Sequence, residues 1–206
     1  MKTKLTIAAL CALTMASLCG KCDNLLLAPS GSCLHTGQFR AEAAVGMKDS
    51  DHRVYWLGLG IAQFEANLVS EHHPGTGTDN IVTLQYHAFP QTAVTPSISL
   101  GVWDVADETK HGVAPFIAAT KEIYVGDEGR FINSVEATLG AGFNGLDGIF
   151  GGVKVGLPHN ISLCGEYFQD KINLSLGFNL GSIAAVKLYR MRGDNYYGLS
   201  FTPIRF

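Results

Sequence analysis

The stretch KINLSLGFNL, residues 171–180, alternates without a break. Ile172, Leu174, Leu176, Phe178 and Leu180 share one parity; Asn173, Ser175, Gly177 and Asn179 share the other. Successive side chains of a strand point to opposite faces, so this decapeptide is a strand with one apolar and one polar face. Which face looks inward separates two kinds of protein. In a soluble sheet the apolar face packs on a core; in a transmembrane barrel it meets lipid and the polar face lines the interior.

The pattern recurs along the chain. Phe131, Val135, Ala137, Leu139, Ala141 and Phe143 oppose Ile132, Ser134, Glu136, Thr138, Gly140 and Gly142, with Asn133 interrupting the apolar parity. Ile149, Val153, Val155 and Leu157 oppose Gly152, Lys154 and Gly156. Ile161, Leu163 and Tyr167 oppose Ser162, Cys164 and Glu166, and Phe39, Ala41, Ala43, Val45 and Met47 oppose Arg40, Glu42, Ala44 and Gly46. A face turned to bulk water carries many long charged side chains. Here it is mostly Gly, Ser, Asn and Thr, and charged residues are 16% of the chain against roughly 25% in soluble domains. Small side chains suit a narrow interior, across which Arg40, Glu42, Glu65, Glu136, Lys154 and Glu166 can pair. Unpaired charges there would be costly.

Strands are expected at about 38–48, 53–60, 64–71, 81–88, 96–104, 112–122, 131–142, 148–156, 161–168, 171–178, 183–191 and 196–203. Between them lie turn-forming runs such as HPGTGTDN (73–80), FPQTAVTP (89–96), LPHN (157–160) and RGDN (192–195). Gly, Pro, Asn and Asp supply the dihedral angles that tight hairpins need. No capped helix-period segment separates the strands, which argues against a βαβ architecture. The expected fold is therefore all-β: a single antiparallel up-and-down transmembrane β-barrel over residues 37–206, of about twelve strands, or ten if early hairpins merge. Strands of this length suit a tilted crossing of about 9–11 residues. Closure removes the edges that an open sheet would expose.

The chain opens with MKTKLTIAALCALTMASLCG. Lys2 and Lys4 precede an apolar run from Leu5 to Leu18, shorter than the about 20 residues of a spanning helix. Residues 1–20 thus read as a cleaved secretory signal peptide, and 21–36 as a periplasmic lead-in or plug. Lipidation at Cys19 or Cys22 is not expected, because Leu18 or Lys21 precedes it instead of a small residue. Export favours a disulfide between Cys22 and Cys33 over two thiols, and two cysteines do not make a four-ligand metal site.

The chain ends YYGLSFTPIRF. A terminal aromatic after an alternating strand resembles the assembly signal of outer-membrane barrels, with Phe206 last and Tyr197, Leu199 and Phe201 on the upstream apolar parity. Pro203 lacks a ladder donor, so pairing is expected to finish at Thr202. Tyr55, Trp56, Tyr86, Trp103, Tyr124, Tyr167, Tyr196 and Tyr197 are candidates for aromatic girdles at the membrane interfaces.

Residues 143–168, FNGLDGIFGGVKVGLPHNISLCGEYF, resemble a hairpin of the YjbH-type family of outer-membrane β-barrel proteins. The shared pattern is Phe-x-Gly-Leu-x-Gly-x-Phe-Gly-Gly leading into Leu-x-x-Glu-Tyr. Phe143, Gly145, Leu146, Gly148, Phe150, Gly151, Gly152, Leu163, Glu166 and Tyr167 match it. GDNYYGLSF (193–201) is similar to later strands of that family, and LLLAPSGSCLHTGQFR (25–40) to its opening. The resemblance implies a link to exopolysaccharide production or export. Known members are longer and carry a lipobox, which this chain lacks.

No enzymatic constellation stands out. Ser70, Glu71 and His72 are adjacent, but strand neighbours face opposite ways. Glu71, His72 and His73 could ligate a divalent metal, yet a polar loop accounts for them, and neither metal nor cofactor is expected. Asp104, Asp107 and Glu108 read as loop residues. A net charge of −3 offers no footprint for nucleic acid. The expected function is a structural or accessory role in the bacterial outer membrane, with lipid and the barrel-insertion machinery as partners, and polysaccharide as the partner that the resemblance implies. The rivals are a passive small-solute channel and a soluble exported β-sandwich binding protein.

Overall fold

A computed structural model describes residues 25–124, 131–146, 148–181 and 183–205. Its strands are β1 (Gln38–Gly46), β2 (Arg53–Ile61), β3 (Phe64–His73), β4 (Gly77–Phe89), β5 (Ser97–Trp103), β6 (Ala114–Tyr124), β7 (Ser134–Gly142), β8 (Gly148–Gly156), β9 (Ile161–Phe168), β10 (Lys171–Leu180), β11 (Ala184–Met191) and β12 (Asp194–Arg205). Each pairs antiparallel with the next, and β12 returns to β1, so the sheet is a closed twelve-stranded up-and-down barrel. No helix among the described residues is long and apolar enough to cross a membrane.

The alternating parity answers the question raised by residues 171–180. Ile172 is 69% exposed while its neighbour Asn173 is fully buried. Leu174, Leu176, Phe178 and Leu180 are exposed too, as are Leu57, Leu84, Leu100, Leu139, Val153, Leu163, Val186 and Tyr197 on other strands. The apolar parity faces outward and the polar parity faces the bore.

One end of the barrel holds the start of β1 and the end of β12, with the β2–β3, β8–β9 and β10–β11 turns. The opposite end, here the loop end, carries residues 47–52, 104–113, 143–146, 169–170 and 192–193. Gln169 and Asp170 both have positive φ (49° and 58°). That is the type I′ geometry whose twist matches a two-residue hairpin.

Several local expectations are corrected. The run at 73–80 is mostly strand, because β3 continues to His73 and β4 begins at Gly77, with Gly75 and Gly77 at positive φ in the short turn. Pairing of β12 does not stop at Thr202: it reaches Arg205 opposite Gln38. Ala41 pairs with Phe201 and Phe39 with Ile204, so β12 carries one extra residue. A bulge beside Pro203 leaves its missing N–H out of the ladder.

The core lies inside the barrel. Leu25, Ala28, Ile81, Trp103, Phe116, Phe150 and Phe168 form one buried cluster, and Leu26, Val54, Trp56, Tyr189, Met191 and Tyr196 another. Trp56, Trp103 and Tyr196 therefore fill the bore instead of joining a girdle, whereas Tyr55, Tyr86, Tyr167 and Tyr197 are exposed on the outer face. The side chain of Tyr124 lies outside what is described. Inward rings sit over inward glycines. Gly101 pairs with Phe116 and Gly140 with Phe150. A Cβ on either glycine would come within 2.3 Å of the facing ring, so the glycines clear the space that the rings occupy.

Candidate functional site

The bore is not empty. Residues 25–36 carry no charged group before His35, and they bond inward side chains of β2, β3, β4, β5, β6 and β9. The segment can be followed from the loop-end half toward the terminal end. Leu27 N donates to both carboxylate oxygens of Glu166 on β9, at 3.0 and 3.1 Å, and Ala28 N donates to one of them at 3.1 Å. Trp56 Nε1 on β2 donates to the Leu26 carbonyl at 2.9 Å. Ser99 Oγ on β5 donates to the Ser30 carbonyl at 2.6 Å, and Gly31 N donates to Thr120 Oγ1 on β6 at 2.8 Å. Leu34 N donates to Glu65 on β3. A peptide entering a narrow bore must find partners for its N–H and C=O groups, and these side chains supply them. Residues 25–36 thus form a stopper.

The lumen-facing candidates divide by task. Glu166 and Glu65 receive stopper amides. Glu65 also accepts from Asn67 Nδ2 at 2.7 Å and Gln85 Nε2 at 3.1 Å. Arg40 is buried on β1 and donates through Nη2 to Asn67 Oδ1 at 3.0 Å, which places it one residue removed from Glu65. Glu42 binds Lys187 Nζ at 2.8 Å and Tyr189 Oη at 2.6 Å. Glu136 and Lys154 are half-buried register partners across β7 and β8. Lys187 and Asn173 are missing from the lumen candidates, although Asn173 stands on the polar parity of residues 171–180 and the parity of Lys187 within β11 marks it as inward too.

Tyr197, Leu199 and Phe201 project from the outer face of β12. Phe206 and Cys22 lie outside the described residues, and with them the signal peptide and the proposed Cys22–Cys33 pair. Cys33 itself is buried in the stopper, its Sγ 3.2 Å from Gln85 Nε2. Asp104 organises its own loop by accepting from Glu108 N and Thr109 N.

A second cluster sits at the loop end. Glu71 and His73, two apart on β3, point inward, whereas Ser70 and His72 occupy the outer parity and bond Asn80 and Thr78. The adjacent Ser-Glu-His run is therefore not assembled. Instead His52, from the β1–β2 loop, joins Glu71 and His73. His52 Nε2 lies 3.8 Å and His73 Nε2 3.5 Å from Glu71 Oε1. Arg192 Nη1 holds Glu71 Oε2 at 2.8 Å, and Tyr196 Oη lies 3.0–3.2 Å from the His52 ring nitrogens. His52 had no sequence signal, because its partners are a hairpin away.

Fold and bore together define a class: a closed, up-and-down, twelve-stranded β-barrel, apolar outside and stoppered by the segment that precedes its first strand. No protein family, curated protein or solved structure matches the chain significantly.

Proposed function

We propose that the chain is a bacterial outer-membrane β-barrel with a structural or accessory envelope role, its bore held shut by residues 25–36. The observation that carries the membrane reading is the exposed apolar parity around a closed sheet. Soluble monomers rarely expose contiguous apolar patches beyond a few hundred Å², whereas lipid is the natural solvent for such a belt. Closure also pairs each wall strand on both sides, so that outside the two bulged positions their backbone groups are satisfied within the sheet, as a bilayer requires.

The stopper favours this role over a passive small-solute channel, which would require the segment to leave. The proposed role is not catalytic. A link to exopolysaccharide rests on the resemblance of residues 143–168 alone, and loss of secreted polysaccharide in a deletion strain would support it.

Membrane fractionation with SDS-gel mobility before and after boiling tests the location. Recovery in the outer membrane with a heat-dependent shift supports the proposal, and recovery as a soluble protein without a shift refutes it. Planar-bilayer recording then tests the closed bore: steady conductance by the intact chain would favour the channel.

A further inference from the structure

We propose that His52, Glu71 and His73 form a binding site for one divalent transition ion of the zinc class at the loop end of the bore. Both imidazoles converge on the same carboxylate oxygen without bonding to it: 3.5 Å from His73 Nε2 and 3.8 Å from His52 Nε2. Those separations exceed a hydrogen bond of about 2.7–3.2 Å. They come close to the edge of a tetrahedron built with bonds of 2.0–2.1 Å, about 3.4 Å. The three potential ligand atoms all lie within 4.8 Å of one another, so small side-chain rotations close the set around one ion.

The surroundings suit a ligand set. Arg192 occupies Glu71 Oε2 at 2.8 Å, leaving Oε1 for a monodentate bond. Tyr196 Oη lies against the His52 ring edge, 3.2 Å from Nδ1 and 3.0 Å from Nε2, and a modest turn of the ring that brings Nε2 onto the ion leaves Nδ1 with this hydroxyl as its outer-shell partner. Glu71 is buried while His52 and His73 are partly exposed, so the ion has an approach from the loop end. Two imidazoles and one carboxylate select borderline ions such as Zn²⁺ over Ca²⁺ or Mg²⁺, which prefer all-oxygen shells. Three protein ligands leave one position for water or an exogenous ligand.

The test uses the untagged full chain, extracted in detergent, stripped with chelator and titrated with Zn²⁺ or Co²⁺. We expect one equivalent per chain, with the strong visible bands of four-coordinate Co²⁺. His52→Ala and His73→Ala should each weaken binding at least about a hundredfold, and Tyr196→Phe about tenfold. His72→Ala, on the outer face beside His73, should change nothing. Heat-dependent gel mobility establishes that each variant is folded. No stoichiometric binding by the intact chain, or equal loss in the His72 and His73 variants, would overturn the proposal. These outcomes are independent of whether the bore conducts.

Discussion

Gly31 is where the stopper comes closest to the wall. A Cβ there would lie 2.5 Å from Thr120 N, 2.7 Å from Ser97 O and 2.8 Å from the Ala119 carbonyl carbon. All three are backbone atoms of β5 and β6, so no side-chain rotation can make room. Gly31 has no positive φ, hence Gly31→Ala costs nothing in local backbone conformation; its whole effect is steric. Ordinary contact begins near 3.4 Å, so the stopper must withdraw by most of an ångström. That breaks both the Gly31 N–H bond to Thr120 Oγ1 (2.8 Å) and the Ser99 bond to the Ser30 carbonyl (2.6 Å). A buried hydrogen-bonding group left unsatisfied costs about 1–3 kcal/mol. Two such losses come to about 4 kcal/mol, or roughly three orders of magnitude in the seated-to-released equilibrium at about 1.4 kcal/mol per decade.

Hydrogen exchange of residues 25–36 in detergent reads this directly. In the parent chain the amides of Leu27, Ala28, Gly31 and Leu34 should be protected; in Gly31→Ala their exchange should rise by about the same three orders, while β10 and β11 stay protected. Planar bilayers should show openings by the variant that the parent lacks. Unchanged exchange across 25–36 in a folded Gly31→Ala barrel would mean that the segment does not seat against β5 and β6, and the stopper would have to be abandoned.

Glu166→Gln replaces a carboxylate that accepts from Leu27 N, Ala28 N and Asn173 Nδ2 with an amide whose NH₂ must face one of those donors. Losing a charge-assisted bond there should destabilise the seated segment by about 2–3 kcal/mol, read as faster exchange at Leu27 and Ala28. Lys187→Met leaves Glu42 buried with Tyr189 but without its cation. Stripping one partner from such a pair costs about 3–5 kcal/mol, which should lower the temperature at which the gel-mobility shift occurs. Leu176→Arg puts a charge in the middle of the outer face of β10. In a bilayer that costs about 2–4 kcal/mol near the midplane; in water it would be harmless, so an unchanged urea midpoint for refolding into lipid would count against the membrane reading.

What the sequence made legible was periodicity. The positions of the strands follow from alternation and turn residues, and the sense of the faces follows from side-chain size: a parity of Gly, Ser, Asn and Thr is too small and too lightly charged for a water-facing surface. The contents of the bore were less accessible. Phe150 shares its parity with Gly152 and Gly156, and Trp56 with Gly58 and Gly60. A lone ring on a glycine parity is the signal that it fills space opposite another glycine, as the Phe116–Gly101 and Phe150–Gly140 pairs do. Residues 25–34 have no period to read. Their signal is that ten residues pass without a charge, which suits a buried strap better than a solvated linker. His52 and Glu71 meet only because β1, β2 and β3 close one hairpin on the next, a tertiary fact that no local pattern records.

Asn173 shows how these parts act as one. It is fully buried on β10, donates through Nδ2 to Glu166 Oε1 at 2.8 Å, and accepts from Arg192 N through Oδ1 at 2.8 Å. Glu166 anchors the stopper and Arg192 holds Glu71, so a single amide spans the distance between the stopper and the His52–Glu71–His73 cluster. An amide suits this position, because both a donor and an acceptor are needed at once in a site with no water-facing side, and a carboxylate or an ammonium offers only one of them. Asn173→Asp keeps the acceptor toward Arg192 N but sets a second carboxylate against Glu166; Asn173→Ala loses both bonds. At a pH high enough to ionise both carboxylates the Asp variant should therefore release Leu27 and Ala28 to exchange more than the Ala variant does, although it is the closer isostere, because like charges in a low-dielectric interior repel more strongly than a missing bond costs; a proton shared by the pair removes that repulsion. If the Ala variant exchanged faster than the Asp variant, the Glu166 carboxylate would not be the charged anchor of the stopper.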